Sequence, residues 1–183
     1  AGRGIIHSEM PQQENGRMRG FQLWINLPAK EKMKPAGYRD IQPDEIPAVL
    51  FSAGTLKIVA GTYEGASGPV QGVSTEPLYW DVQLNSGKTF QARIPETHTV
   101  YVYPFEGGVE IGDRVLKTHQ GGVLGAGDAI EVRAGADGAR FLVLAAKPLK
   151  EPVVQYGPFV MNTRAEIEQA IRDYQSGELT KAA

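Results

Sequence analysis

The sequence contains no cysteine among its 183 residues. This absence excludes disulfide bonds, thiolate catalysis and zinc sites built from cysteine. Histidine is also scarce, with 3 residues in the chain. Any metal site in this protein must therefore be built from imidazole and carboxylate groups.

Long hydrophobic runs and runs of basic residues are missing as well. No apolar stretch approaches the roughly 18 residues that a membrane helix needs, and the first residues lack the pattern of a signal peptide. We therefore expect a cytoplasmic protein with no membrane partner. The formal net charge is -2, with 19 Lys and Arg against 21 Asp and Glu. Because no stripe of basic residues is present, direct nucleic-acid binding is disfavoured.

What the sequence does contain is a series of short β-type runs separated by turn residues. Its composition, 42% hydrophobic and 22% charged, is typical of a globular protein. Strands are predicted for residues 21–27, 56–60, 79–84, 100–103, 129–133 and 140–145. Turns of the hairpin type are predicted for residues 85–87, 106–108, 125–128 and 136–138. This spacing predicts an all-β sandwich or barrel.

The stretch PAKEKMKPAGYRDIQPDEIP is rich in proline and lysine. Proline lacks the amide donor that strand pairing needs, so this stretch predicts a connector between two β units, over residues 29–52.

Near the end of the chain the pattern changes to that of a helix. Thr163 is the predicted N-cap, and Glu166, three residues on, completes a capping box. Apolar residues then recur with helical spacing at Ile167, Ala170, Ile171 and Tyr174. Gly177 is the predicted stop. We expect this helix to cover one face of a sheet.

The run AGRGIIHSEMP places His7 and Glu9 two residues apart. If the run is a strand, both side chains lie on one face and could share one ion. Imidazole with carboxylate suits non-haem iron, manganese and similar ions. A short motif of this kind is weak evidence, and a surface or hydrogen-bonded histidine is the commoner case, so both interpretations stay open. His98 and His119 each look isolated.

The predicted strand 21–27 has two different faces. Its odd-numbered residues Phe21, Leu23, Ile25 and Leu27 form one face, and Gln22, Trp24 and Asn26 form the other. One of the two sets could line a pocket, and the alternation favours core packing for the first set.

Several segments together resemble the pirin family. They are AGRGIIHSEMP, GRMRGFQLWINLP, PLYWDVQLNSG, PETHTVYVYPFEG, EPVVQYGPFVMNT and EIEQAIRDYQSG, in this order along nearly the whole chain. The resemblance implies a bicupin: two double-stranded β-helix jelly rolls in tandem, with a C-terminal α-helix. It also implies one metal ion in the N-terminal cupin, commonly iron(II), held by three histidines and one glutamate.

By this resemblance, His7 corresponds to the third histidine and Glu9 to the glutamate. The family's His-x-His-Arg-Gly-Phe-Glu segment is absent from the sequence. We therefore expect about a hundred further residues in the intact protein, the size of a small domain. Residues 1–28 are then the remaining strands of the N-terminal cupin. Residues 53–150 form the C-terminal cupin, expected to be metal-free and structural, and residues 151–183 form the C-terminal segment.

The resemblance further implies a function. Iron(II), or another divalent transition metal, would support a dioxygenase acting on a small aromatic substrate such as quercetin, with Glu9 as the base that takes the hydroxyl proton. The alternative is a non-catalytic, iron-dependent redox sensor that modulates a protein partner involved in transcription or metabolism.

Overall fold

The structure is a computed structural model that describes residues 2–10, 13–16 and 18–180. The chain divides into two compact units. We call Asp40–Pro148 the central unit, and Ala1–Arg39 together with Leu149–Ala183 the terminal unit.

The central unit is built from antiparallel strands. They are β1 (Ala48–Phe51), β2 (Gly54–Ala60), β3 (Thr62–Tyr63), β4 (Ala66–Ser67), β5 (Leu78–Leu84), β6 (Thr89–Arg93), β7 (Thr99–Ile111), β8 (Arg114–Leu116), β9 (Gly122–Val123) and β10 (Ala129–Ala146). The main sheet has the order β1-β2-β5-β10-β7-β8, with β6 also paired to β10 and β9 to β7. Strands β3 and β4 form a separate small hairpin. β1 lies within the stretch 29–52 predicted as a connector, so its four residues belong to the sheet instead.

Two long strands, β7 and β10, connect the parts of this sheet. β10 pairs with β6 along its first part and with β5 along its second, while β7 pairs with both parts. The register between β7 and β10 shifts between Ala134 and Ala139, where Gly107 (φ +64°) and Gly138 (φ +78°) adopt left-handed conformations. A Cβ on Gly107 would lie 2.2 Å from the carbonyl oxygen of Gly138, so only glycine fits this close approach.

Two of the predicted turns are wrong for the same reason. Residues 106–108 lie inside β7, and residues 136–138 lie inside β10, which joins two strands predicted as separate. Glycine with positive φ serves a hairpin turn and a bulge equally well, so the sequence pattern does not distinguish them.

The core of the central unit consists of aliphatic and aromatic side chains. Along β5, Trp80, Val82 and Leu84 alternate inward and are at most 2% exposed. The ring of Phe90 lies 6.3 Å from that of Trp80 and 6.3 Å from that of Phe141, both in near edge-to-face arrangements. Full burial of each such side chain contributes about 1.5–3 kcal/mol, so this core is the main source of stability of the unit.

The terminal unit contains a hairpin, β11 (Val154–Tyr156) with β12 (Phe159–Met161), followed by the helix α1 (Arg164–Gln175). The predicted capping box is confirmed, since the Thr163 hydroxyl accepts from the Glu166 amide and the Glu166 carboxylate accepts from the Thr163 amide. Gly177 follows the helix with φ +74°. Among the described residues, no helix has the length and apolar character needed to cross a membrane.

The beginning of the terminal unit differs from the prediction. No strand is present in residues 2–10, 13–16 or 18–28, so the strand predicted for 21–27 is wrong. The strand conformation considered for the run through His7 is also absent from residues 2–10. A strand needs a neighbour to pair its backbone groups, and no described residue forms a ladder with this segment. Phe21, Leu23 and Ile25, predicted as core, are 39%, 40% and 50% exposed.

Candidate metal centre

His7 and Glu9 lie next to each other despite the absence of a strand. His7 Nδ1 is 3.9 Å from Glu9 Oε1, and the two side chains are 52% and 66% exposed. Two donors that share one ion, each about 2.1 Å from it, are separated by about 3–4 Å. The observed separation therefore falls in the range of a shared ion. It also fits an exposed ion pair with a protonated histidine, which would add little stability.

Gln22 connects a second segment to this pair. Its Nε2 donates to Glu9 Oε1 at 3.3 Å. The hydrogen bond joins positions 13 residues apart and places Gln22, from the face not favoured as core, beside Glu9. The alternation along residues 21–27 could indicate this face, although it could not indicate which of its residues meets Glu9.

A complete metal site is not present in the part of the chain that the structure describes, since it contains no group of three or more histidines, aspartates or glutamates that could hold an ion. His98 is buried at 9% exposure, and its Nε2 donates to the carbonyl oxygen of Glu76 at 2.9 Å. Its Nδ1 lies 3.3 Å from the hydroxyl of Thr97. Both ring nitrogens of His98 are therefore engaged in local structure.

His119 has a different local role, in the loop between β8 and β9. It adopts a left-handed conformation with φ +68°, and its backbone amide donates to the carbonyl oxygen of Pro104 at 2.7 Å. Its ring lies beside that of Tyr103, with centroids 6.3 Å apart. Both His98 and His119 thus have structural partners within the central unit.

The donor set at His7 and Glu9 fits a borderline divalent ion as far as it extends. Neutral imidazole and carboxylate are the ligands that iron(II), manganese(II) and similar ions accept in proteins. The carboxylate of Glu9 accepts an amide hydrogen from Gln22. Two donors are too few for a stable site, so His7 and Glu9 remain the predicted ligands of an incomplete set.

A buried lysine, which the sequence pattern does not indicate, lies in the same unit. Lys32 is 5% exposed, and its Nζ donates to Asn26 Oδ1 at 2.5 Å and to the carbonyl oxygen of Val160 at 3.1 Å. Burial lowers the pKa of Lys32 below its ordinary value, while the carboxylates of Glu151 and Glu166 oppose that shift. Lysines in a lysine-rich stretch are usually solvated, which is why the sequence does not single out Lys32.

Two carboxylates near this lysine organise the chain around it. Glu151 Oε2 accepts from the backbone amide of Ala29 at 2.7 Å and from Asn162 Nδ2 at 3.1 Å. The Thr163 hydroxyl, donating to Glu166 Oε2 at 2.9 Å, is the main cause that holds the pKa of Glu166 below its ordinary value. Residues 26–32 are thereby joined to the segment that leads from the β11–β12 hairpin into α1.

Comparison with known proteins gives consistent matches. A family model described as the pirin C-terminal cupin domain matches residues 79–180, more than half of the chain. A Pseudomonas aeruginosa protein named "Putative quercetin 2,3-dioxygenase" is 50% identical over 188 residues, covering 98% of this chain and 65% of that protein. Human pirin is 38% identical over 183 residues, covering 97% of this chain and 62% of that protein.

Among solved structures, a quercetin 2,3-dioxygenase from Acinetobacter baumannii matches with a TM-score of 0.79 and 36% identity, covering 85% of this chain and 55% of that one. These matches confirm the predicted cupin jelly roll with a C-terminal helix. The chain spans 65% and 62% of the length of the two curated relatives described above, which is less than two thirds of each.

Proposed function

This chain belongs to the pirin family, and from that premise we propose that His7 and Glu9 supply two ligands of a mononuclear divalent metal site in the whole protein. The family resemblance implies iron(II) as the metal. We propose further that the whole protein is a metal-dependent dioxygenase of quercetin-like flavonols. The observation that best supports the proposed metal site is the 3.9 Å separation of His7 Nδ1 and Glu9 Oε1.

The chemistry required of the metal is limited. When bound, an iron(II) ion supplies Lewis acidity and open positions at which the hydroxyl and carbonyl oxygens of a flavonol and dioxygen can meet.

Glu9 is the proposed base. Its Oε1 accepts the amide hydrogen of Gln22, so we assign Oε2 as the atom that takes the proton of the flavonol hydroxyl. A carboxylate can do this only from within hydrogen-bonding distance of the substrate. General base catalysis of this kind typically contributes about 10²–10⁴-fold to a rate.

Oxygen uptake with quercetin, measured for the metal-loaded whole protein, tests the proposal. The Glu9→Gln variant should lose about a hundredfold or more of the rate, because glutamine cannot accept the proton. Glu14→Gln is the matched control: Glu14 is an exposed glutamate five positions along the chain, and the variant should retain the wild-type rate. Equal rates for wild type and Glu9→Gln would rule out Glu9 as the base. No oxygen uptake by the metal-loaded wild type would refute the dioxygenase function.

A second candidate function uses the same proposed metal site. Oxidation of the bound ion from iron(II) to iron(III) would change the charge beside His7 and Glu9, whose donor atoms lie 3.9 Å apart. A redox sensor that modulates a protein partner would use such a change. Hydrogen exchange of residues 5–28 that differs between the two iron states, together with no oxygen uptake with quercetin, is the result expected for this function. A cytoplasmic location and the absence of nucleic-acid and membrane partners stay predictions.

A further inference from the structure

Lys32 is an unusual residue among those described. The buried polar and charged residues of the described chain are Lys32, Thr75 and His98. Lysine is almost never fully buried unless its ammonium group is paired, because the loss of hydration is costly. A lysine at 5% exposure therefore needs hydrogen bonds that compensate for its lost hydration.

The hydrogen bonds of Lys32 join three pieces of the terminal unit. The ammonium group extends from the residue that follows a 3₁₀ turn (Ala29–Glu31). It donates back to the side chain of Asn26 and across to the backbone of Val160 in β12. The stretch 21–28, which forms no strand, is thus attached through Asn26 to a regular hairpin.

The same stretch reaches the candidate metal centre at its other end. Gln22, four residues before Asn26, donates its amide hydrogen to Glu9. Four residues of extended chain span at most about 14 Å, so fixing Asn26 limits how far from it Gln22 can lie. Because no strand pairing holds this stretch, side-chain hydrogen bonds of this kind carry a larger share of its positioning.

We propose that Lys32 is a positioning residue for the metal centre: it fixes Asn26 and thereby sets the place from which Gln22 orients the carboxylate of Glu9. The inference rests on the proposed function, since it requires that Glu9 be a ligand. The ammonium group of Lys32 donates to Asn26 and to Val160, so its effect on Glu9 is indirect. Removing a group that hydrogen-bonds directly to a ligand, as Gln22 does to Glu9, typically changes metal affinity by about 10–100-fold, and we expect the loss of Lys32 to act at the lower end of that range.

The test uses the whole protein and Co(II), whose visible absorption spectrum reports ligand geometry. Lys32→Met keeps the length of the side chain and removes the donors, and it should weaken Co(II) binding at least about tenfold and change the spectrum. Lys30→Met is the matched control, because Lys30 is exposed and lies two residues away. It should leave both affinity and spectrum unchanged. Lys32→Arg, which retains donors, should restore part of the affinity.

A second variant keeps the test decisive if Lys32→Met does not fold. Asn26→Leu removes the acceptor from a half-buried position and should weaken Co(II) binding in the same direction. In Asn26→Asp, which preserves an acceptor for the ammonium group, the wild-type affinity is expected. If Lys32→Met and Asn26→Leu both bind Co(II) like the control, with only thermal stability reduced, the role of Lys32 is purely structural and the inference is overturned.

The outcomes also separate this inference from the proposed function. A wild-type protein that binds no Co(II) refutes the metal site, and the role of Lys32 falls with it. Normal wild-type binding with unaffected variants refutes the role of Lys32 alone and leaves the metal site intact.

Discussion

Two seven-residue stretches of this chain have closely similar patterns and different structures. FQLWINL, residues 21–27 of the terminal unit, and LYWDVQL, which is β5 of the central unit, each carry apolar residues at alternate positions and contain one tryptophan. Trp80 lies on the apolar face of β5 and is 1% exposed, whereas Trp24 lies on the face opposite Leu23 and is 60% exposed. Leu23, on the apolar face of residues 21–27, is itself 40% exposed.

The difference lies in what each stretch has beside it. β5 pairs with β2 on one side and β10 on the other, so its backbone groups are hydrogen-bonded and its apolar face is covered. Residues 21–27 form no ladder with any described residue. The alternation of apolar and polar residues predicts which face of a strand would be buried, but the strand forms only if a neighbouring strand pairs with its backbone.

The largest expected loss of stability is for replacement of Trp80, and replacement of Trp24 provides the comparison. Trp80→Ala should destabilise the protein by about 3–5 kcal/mol, because it leaves a cavity among packed aromatic rings. Trp24→Ala should change the free energy of unfolding by no more than about 0.5 kcal/mol, as at most exposed positions. Urea unfolding, followed by circular dichroism, measures both. Losses of similar size would show that Trp24 is packed as tightly as Trp80 and would contradict the difference between the two stretches.

The same comparison explains how much of the fold could be predicted from the sequence. β5 and β2 were located to within one or two residues, because turn residues border their hydrophobic runs. The joining of residues 129–133 and 140–145 into one strand, β10, could not be predicted, since it depends on pairing with distant strands on both sides. Local patterns thus locate strands, while long-range pairing decides their length and whether they form.

The candidate site shows a similar division. His7 and Glu9 could be predicted as candidate ligands because a two-residue spacing is visible in the chain and the family resemblance assigns both of them, and their metal binding stays a prediction. Gln22 and Lys32 were not found, since their contacts join residues 13 and up to 128 positions apart. Only a folded backbone brings such residues together.

The helix α1 offers a contrast to residues 21–27, because the residues that determine where it begins are close together in the sequence. Thr163→Ala removes the hydroxyl that accepts from the Glu166 amide and should cost about 1 kcal/mol. Thr163→Ser keeps the hydroxyl and is the matched control, expected to lie near wild type. Far-UV circular dichroism during urea unfolding measures the change. An equal loss in both variants would show that the methyl group, and not the cap, matters.

The smallest effect concerns the charge of Glu166. Hydrogen bonds from the Thr163 hydroxyl, then from the amides of Thr163 and Asn162, together with the charge of Lys32, hold the pKa of this carboxyl below its ordinary value, against the opposing effect of burial. A carboxyl with a lowered folded-state pKa binds its proton less readily than in the unfolded chain. Its stabilising contribution is therefore fully present above the ordinary carboxyl pKa and is lost as the pH falls through the lowered value.

Glu166→Gln keeps the capping geometry and removes the charge. The difference in unfolding free energy between wild type and this variant should be present at pH 7 and shrink as the pH falls below the ordinary carboxyl pKa and through the lowered one, because protonated glutamate resembles glutamine. Glu168→Gln, in the same helix and 59% exposed, controls for the loss of one negative charge. A difference in unfolding free energy that persists or grows as the pH falls would mean that the negative charge of Glu166 is not what stabilises the start of α1.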